Sequence, residues 1–154
     1  MAIRVGILCL GLAALAGGCG GSGGGSAGIS SQPLSGKIGG QPWTFMTGQT
    51  NSSLSTASLY WVDAYAESFT PCTGYASTTA DELLLSLPTA VGNYPLSLDL
   101  IQTFYVAATS DNLGAASGEI DITAITATTI TGGASFAYDA GNSVDGQFQI
   151  TICP

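Results

Sequence analysis

The sequence predicts an all-β domain, an antiparallel meander closed into a β-sandwich or small β-barrel of about eight to nine strands. Three observations predict it. From Pro33 onward the apolar residues recur with period two in short runs. Gly, Pro, Asn and Asp separate those runs at short spacing. No stretch of the domain keeps a helical period long enough to form a helix.

The opening SGKIGGQPWTF contains two short runs around Gly39 and Gly40, a hairpin whose turn needs positive φ. Pro42 lacks an amide hydrogen and so marks an edge or a strand start. Between Ala57 and Glu67 the even positions Tyr60, Val62, Ala64 and Ala66 form an apolar face, expected to be the core side. The odd positions Leu59, Trp61, Asp63, Tyr65 and Glu67 form a mixed one. Leu83, Leu85 and Leu87 make a third run, closed by Pro88. After a turn at Gly92 and Asn93, VGNYPLSLDL puts Tyr94, Leu96, Leu98 and Leu100 on one side.

Phe104, Val106 and Ala108 continue the alternation, and a loop spans Asp111 to Gly118. GEIDITAIT then carries Ile120 and Ile122 inward, with Glu119 and Asp121 outward. Ile125 and Ile130 break parity with Ile122, which requires a bulge or tight turn between Ala124 and Thr129. ITGGASFAY and QFQITIC close the domain, with Phe136 and Tyr138 in phase on one and Phe148, Ile150 and Ile152 on the other. DAGNSVDG joins them as a turn.

The chain ahead of the domain has a different texture. Residues 1–18 hold Arg4, the apolar run VGILCLGLAALAG and a small-residue end, which is the layout of a signal peptide. The run is about 13 residues, short of the roughly 20 that a transmembrane helix needs. Cys9 lies inside it and would leave on cleavage. Residues 19–32 begin with Cys19 and read as a Gly/Ser-rich tether, with a root-mean-square reach of roughly 20 Å. Residues 33–154 are the domain, long enough at about 120 residues to hold a core without a metal.

Composition removes several functions. Ten acidic residues face only Arg4 and Lys37, so loss of Arg4 leaves the mature chain near −9. Nucleic acid is an unsuitable partner for a domain with one lysine, and so is electrostatic docking on anionic lipid. The sequence has no histidine, which takes away the commonest general base and neutral metal ligand.

Cys72 and Cys153 are the two thiols left once Cys9 is discarded and Cys19 is modified, and in an oxidising compartment they pair as a disulfide. The closed loop of about 80 residues is worth roughly 4 kcal/mol as an upper bound. Two cysteines without histidine make a poor zinc site. Asp139, Asn142 and Asp145 offer oxygen ligands without EF-hand spacing, and are read as turn chemistry. No cofactor or metal is expected. Glu119 and Asp121 are neighbours on one strand face, whereas glycosidic carboxylates flank the bond from opposite sides at about 5 Å or more. Lys37, beside a hairpin, is expected to be solvated. No catalytic residue is assigned, and the domain is read as a non-enzyme. The ligand-binding candidates are Trp61 and Tyr65 beside Asp63 and Glu67, with Trp43 or Tyr75 joining them, as flat rings able to stack on sugar or peptide. The reading preferred over a ligand platform is a two-layer sandwich in which both faces of that strand are partly covered by the fold.

LAGGC, from Leu15 to Cys19, resembles the lipobox of bacterial lipoproteins, departing from it where Ala16 stands in place of a larger aliphatic residue. SGKIGGQPW, LPTAVGNYPL, ASGEIDIT and VDGQFQITIC look like strand signatures of uncharacterised small bacterial lipoproteins. The resemblance implies lipidation on Cys19, stable anchoring by two or three acyl chains, and one β domain of unassigned activity. Gly20 stands where an inner-membrane retention signal would carry aspartate, so outer-membrane placement in the cell envelope is expected. The function expected is a tethered interaction or structural module whose partner is a glycan, a peptide or an envelope protein. A lipocalin-like carrier of a small apolar ligand is the alternative, and a carboxylate hydrolase the third.

Overall fold

Residues 28–51, 55–74, 76–100 and 102–154 are described by a computed structural model. Cys19, the segment 1–18 read above as a signal peptide, and Tyr75 lie outside them. The strands are β1 (Ser35–Ile38), β2 (Gln41–Thr44), β3 (Thr47–Asn51), β4 (Leu59–Tyr65), β5 (Glu82–Pro88), β6 (Gly92–Pro95), β7 (Thr103–Val106), β8 (Asp111–Gly114), β9 (Ser117–Ile125), β10 (Thr129–Asp139) and β11 (Asn142–Cys153). They form one sheet in the order β6-β9-β10-β11-β3-β4-β5-β7-β8, with β1 and β2 attached beside β11. This is an all-β domain: a curled, open half-barrel, with nine strands on the main path.

Consecutive antiparallel pairs make most of the sheet, as a meander requires. Three joins on the main path are not sequential, β5 to β7 among them, where the sheet passes over β6. β6 leaves β5 and pairs with β9, and β11 runs parallel to β3 through Thr151↔Gln49, Ile152↔Thr50 and Cys153↔Asn51. The same edge of β11 also holds β1, antiparallel, and a bridge from Pro33 to Gln147. Three pieces of the N-terminal chain therefore cover one long strand. That close approach requires glycine at Gly146, where φ is +140° and a Cβ would lie 2.6 Å from the Gln32 carbonyl oxygen.

The alternation read from the sequence sets the faces. Val62 and Ala64 of β4, Leu83, Leu85 and Leu87 of β5, and Phe104 and Val106 of β7 point inward. They pack with Ile120, Ile122, Ile130, Phe136, Phe148 and Ile150 of β9 to β11. The β1–β2 turn holds Gly39 at φ +61° and Gly40 at +74°, as its hairpin needs. The parity break near Ala124 has two sources. A register shift falls between Thr131 and Gly132 of β10, opposite Ala124 and Ile122. A turn at 126–128 follows, in which Thr126 Oγ1 accepts the amides of Thr128 and Thr129.

One predicted strand is shorter than expected. VGNYPLSLDL was expected to carry Tyr94 to Leu100 on one side, but β6 ends at Pro95, and beyond it, among the described residues, only the Leu96 amide still reaches β9, on the Gly118 carbonyl at 2.9 Å. Ser97–Leu100 is a turn closed by the Leu100 amide on the Ser97 carbonyl, and Leu98 is exposed. Conversely, the expected final loop narrows to two residues, because β11 already begins at Asn142. The last residues assigned to the tether also dock on the domain. Ser30 donates its amide to Asp145 Oδ1 at 3.1 Å, Gln147 Nε2 donates to the Ser30 carbonyl at 2.8 Å, and the Gln147 amide donates to the Gln32 carbonyl.

Candidate functional site

β4 and β5 pair with Val62 opposite Leu85 and Ala64 opposite Leu83, a register that matches core residue to core residue. The same register fixes the outer face, because alternate residues leave the opposite side. Tyr65 stands opposite Glu82, Glu82 opposite Tyr105 of β7, and Asp63 opposite Gln49 of β3. Four strands thus deliver two carboxyls, two phenols and an amide to one patch.

The segment 66–81 between β4 and β5 borders this patch and turns it into a cleft of about 460 Å³. Its lining includes Asp63, Tyr65, Phe69, Ser77, Glu82 and Tyr105. The segment is fastened at several points. Cys72 is bonded to Cys153, with Cα atoms 5.4 Å apart, and its amide donates to Gln49 Oε1 at 2.7 Å. The disulfide expected from the cysteine count therefore joins the end of β11 to the edge of the cleft. The Phe69 amide donates to Thr47 Oγ1, and the Phe69 ring meets Tyr65 edge-on at 5.7 Å between centroids. The Ser77 amide donates to Glu67 Oε2 at 2.7 Å, and Asp81 Oδ1 accepts the Ala107 amide at 2.9 Å.

The carboxyls are electrostatically strained. Partial burial pushes Glu82 up to about 7, reinforced by the Asp63 charge and opposed by a hydrogen bond from the Tyr65 hydroxyl. Burial also raises Asp63, against which a hydrogen bond from Glu82 acts. Burial raises the Tyr65 hydroxyl, helped by its hydrogen bond to Glu82 and by both carboxyl charges. The consistent picture is a proton that Glu82 keeps up to about pH 7 beside Asp63.

A stability effect follows from the sign of the Glu82 shift. The unfolded carboxyl ionises near 4.5, whereas the folded one keeps its proton to about 7. The stabilisation is complete below the unfolded value and is lost as pH rises through about 7. Glu82→Gln, which is uncharged throughout, should gain on the wild type by about 1–2 kcal/mol between pH 5 and pH 8, after allowance for solvent screening. Urea titrations at the two pH values measure this, and equal gaps between the proteins would contradict it.

The sequence candidates separate in space. Tyr65 lines the cleft. Trp61 is on the same face, 44% exposed, opposite Ser86, and is not among the cleft residues. Trp43 is not a surface ring at all: it is buried in the core, its indole Nε1 donating to the Asp81 carbonyl at 3.3 Å. β2 must turn that side chain inward because Trp43 alternates with the exposed Pro42 and Thr44. Asp63 entered the sequence reading only as a neighbour of Trp61 and Tyr65, while Glu82, Tyr105, Phe69 and Gln49 were missed. The available signal was outward parity on β4 and β5, readable only once their pairing is known.

Glu119 and Asp121 lie on β9, away from the cleft, and Glu119 Oε2 accepts Asn93 Nδ2 at 3.1 Å. Asp139 Oδ1 accepts the Gly141 amide and Asn142 Nδ2, while Asn142 Oδ1 accepts the Gly39 amide. Those oxygens serve the turn and the β1–β2 hairpin. Among the described residues, no group of three or more His, Cys, Asp or Glu gathers closely enough to hold a metal ion.

No family model, no curated protein and no solved structure matches this chain.

Proposed function

We propose that the protein is an exported lipoprotein of the cell envelope, anchored through acyl chains on Cys19, whose β domain is a non-catalytic interaction module working through the outer-face cleft. The observation that carries this reading is the position of the cleft. The tether docks beside Asp145 and Gln147, whereas Gln49 meets β11 at Thr151, about 13–20 Å further along the strand. An anchored domain would hold the cleft away from the headgroups.

The disulfide supports residence in an oxidising compartment. The carboxyl arrangement supports binding over glycoside hydrolysis: Asp63 and Glu82 stand on adjacent strands of one sheet face, so they line one wall rather than flank a scissile bond from opposite sides. A carrier needs interior room, and the inward side chains of β4, β5, β7 and β9 to β11 are instead buried against one another.

Mass spectrometry of the chain extracted from its own membranes tests the anchor. Expected is a chain beginning at Cys19 and carrying acyl groups, with Cys19→Ser leaving the protein in the soluble fraction. An unmodified Cys19 on a membrane-bound chain would overturn the anchored module.

A further inference from the structure

We propose that the cleft between β4, β5, β7 and segment 66–81 binds an organic ammonium group, with Asp63 and Glu82 as its anionic partners and Tyr65, Phe69 and Tyr105 as its walls. This rests on the reading of the cleft as the interaction site and names the chemistry of what enters it.

The lining excludes the other ligand classes in turn. An anion finds no countercharge, since no lysine or arginine lines the cleft and Lys37 is exposed on β1. An apolar ligand would bury the carboxyls and phenols against nothing that bonds them, at a cost of about 1–3 kcal/mol for each unsatisfied group. A calcium ion takes six to eight oxygens, and the two carboxyls with the Gln49 amide oxygen fall short. An ammonium group needs only three acceptors, and Asp63, Glu82 and Gln49 lie on neighbouring strands of one face. The ring faces of the wall attract a cation, and Tyr65 and Phe69 meet at 69°, so the two form a corner rather than one flat stack. The chain's excess of acidic residues draws cations toward it from solution.

Below about pH 7 the occupied and empty states differ by one proton. Without a ligand, Glu82 keeps its proton because burial disfavours its charge and the Asp63 carboxylate beside it adds to that. A bound ammonium lets both carboxyls ionise, and the Glu82 proton passes to solvent. The titratable groups facing it are Asp63 and Tyr65 on β4 and Tyr105 on β7; segment 66–81 contributes the uncharged Ser77 and Thr78, and β3 the uncharged Gln49. Affinity should therefore rise about tenfold from pH 6 to pH 8, the change in the ionised fraction of a carboxyl titrating near 7.

Isothermal titration of the full chain in detergent with n-butylammonium, spermidine and Nα-acetyl-lysine amide tests this. Expected is saturable binding that strengthens about tenfold at pH 8 over pH 6. Glu82→Gln, nearly isosteric, should weaken binding at pH 8 at least tenfold and abolish the pH slope. Glu119→Gln with Asp121→Asn, which lowers the charge elsewhere, should leave both unchanged. Spermidine binding tighter than the lysine derivative would identify a free polyamine as the ligand, and the reverse order a lysine side chain of a partner. Equal binding of n-butanol, a flat or inverted pH profile, an unaffected Glu82→Gln variant, or no heat from any of the three would overturn the proposal. An acylated Cys19 with no ammonium binding rejects the ligand class alone, whereas an unacylated Cys19 rejects the anchor and leaves the titration to decide the cleft.

Discussion

Replacing Cys72 and Cys153 together by serine should cost up to about 4 kcal/mol of unfolding free energy, because the bond closes a loop of 81 residues. For a domain of this size that is a fall in Tm of about 15–20 °C. The loss should be uneven across the fold. β11 meets β3 through only three residue pairs, the last involving Cys153 itself, so this short parallel ladder leans on the bond more than the longer antiparallel ones do. Segment 66–81 would keep its hydrogen bonds to Gln49 and Thr47 but lose its covalent fastening to β11. Hydrogen exchange should thus accelerate first at Thr151 and Ile152 and around Phe69, ahead of Leu83–Leu87 and Ile120–Ile122 in the core. Thermal melts with and without reductant, read beside exchange, check both parts. A drop below about 1 kcal/mol, or exchange that accelerates uniformly, would show that the bond does not hold β3, β11 and the cleft together.

The all-β class and most strand faces were legible because they rest on local signals. Val62 and Ala64 alternate with Asp63 and Tyr65 whatever β4 pairs with, and Leu83, Leu85 and Leu87 show the same period. Gly39 with Gly40 is a turn in any context. The illegible parts are those decided between distant segments. Nothing in QFQITIC states that it will lie parallel to TGQTN, roughly 100 residues earlier, rather than continue an antiparallel order. Leu96 and Leu98 carry a strand's alternation, yet β6 departs to β9 and ends at Pro95, before them. The cleft fell between these cases. Asp63 and Glu82 were each readable as outward residues, but their meeting depends on the β4–β5 register across a segment of 16 residues. Core matching sets that register: with Val62 against Leu85, Tyr65 must stand against Glu82, and a slip of one residue would turn the leucines outward. The polar site is thus a consequence of hydrophobic pairing on the opposite face of the same strands.

Gln102 shows the same dependence in the interior and carries the second large effect. It precedes β7, is wholly buried, and lies beyond the last β5–β7 pair, Leu84↔Thr103. Its side-chain amide substitutes for a further peptide unit of the ladder: Oε1 accepts the Ser86 amide at 2.9 Å and Nε2 donates to the Ser86 carbonyl at 3.0 Å. Its own carbonyl accepts the Ala115 amide at 2.8 Å, which ties the approach of β9 to the same point. Gln102→Leu fills the volume but withdraws both bonds from Ser86 where water does not reach, and should cost about 2–4 kcal/mol. Gln102→Glu separates geometry from charge. As a neutral acid, its carbonyl oxygen accepts the Ser86 amide and its hydroxyl donates to the Ser86 carbonyl, restoring the pair; ionised, it has no donor and a buried charge. Burial raises the folded-state carboxyl above its unfolded value, so the stability of this variant should be near wild type at pH 4.5 and fall as pH rises. Urea titrations of both variants at pH 4.5 and pH 8 measure the effect. A leucine variant within about 0.5 kcal/mol of wild type, or a glutamate variant as unstable at pH 4.5 as at pH 8, would mean that the ladder beyond Leu84 does not depend on the side-chain amide.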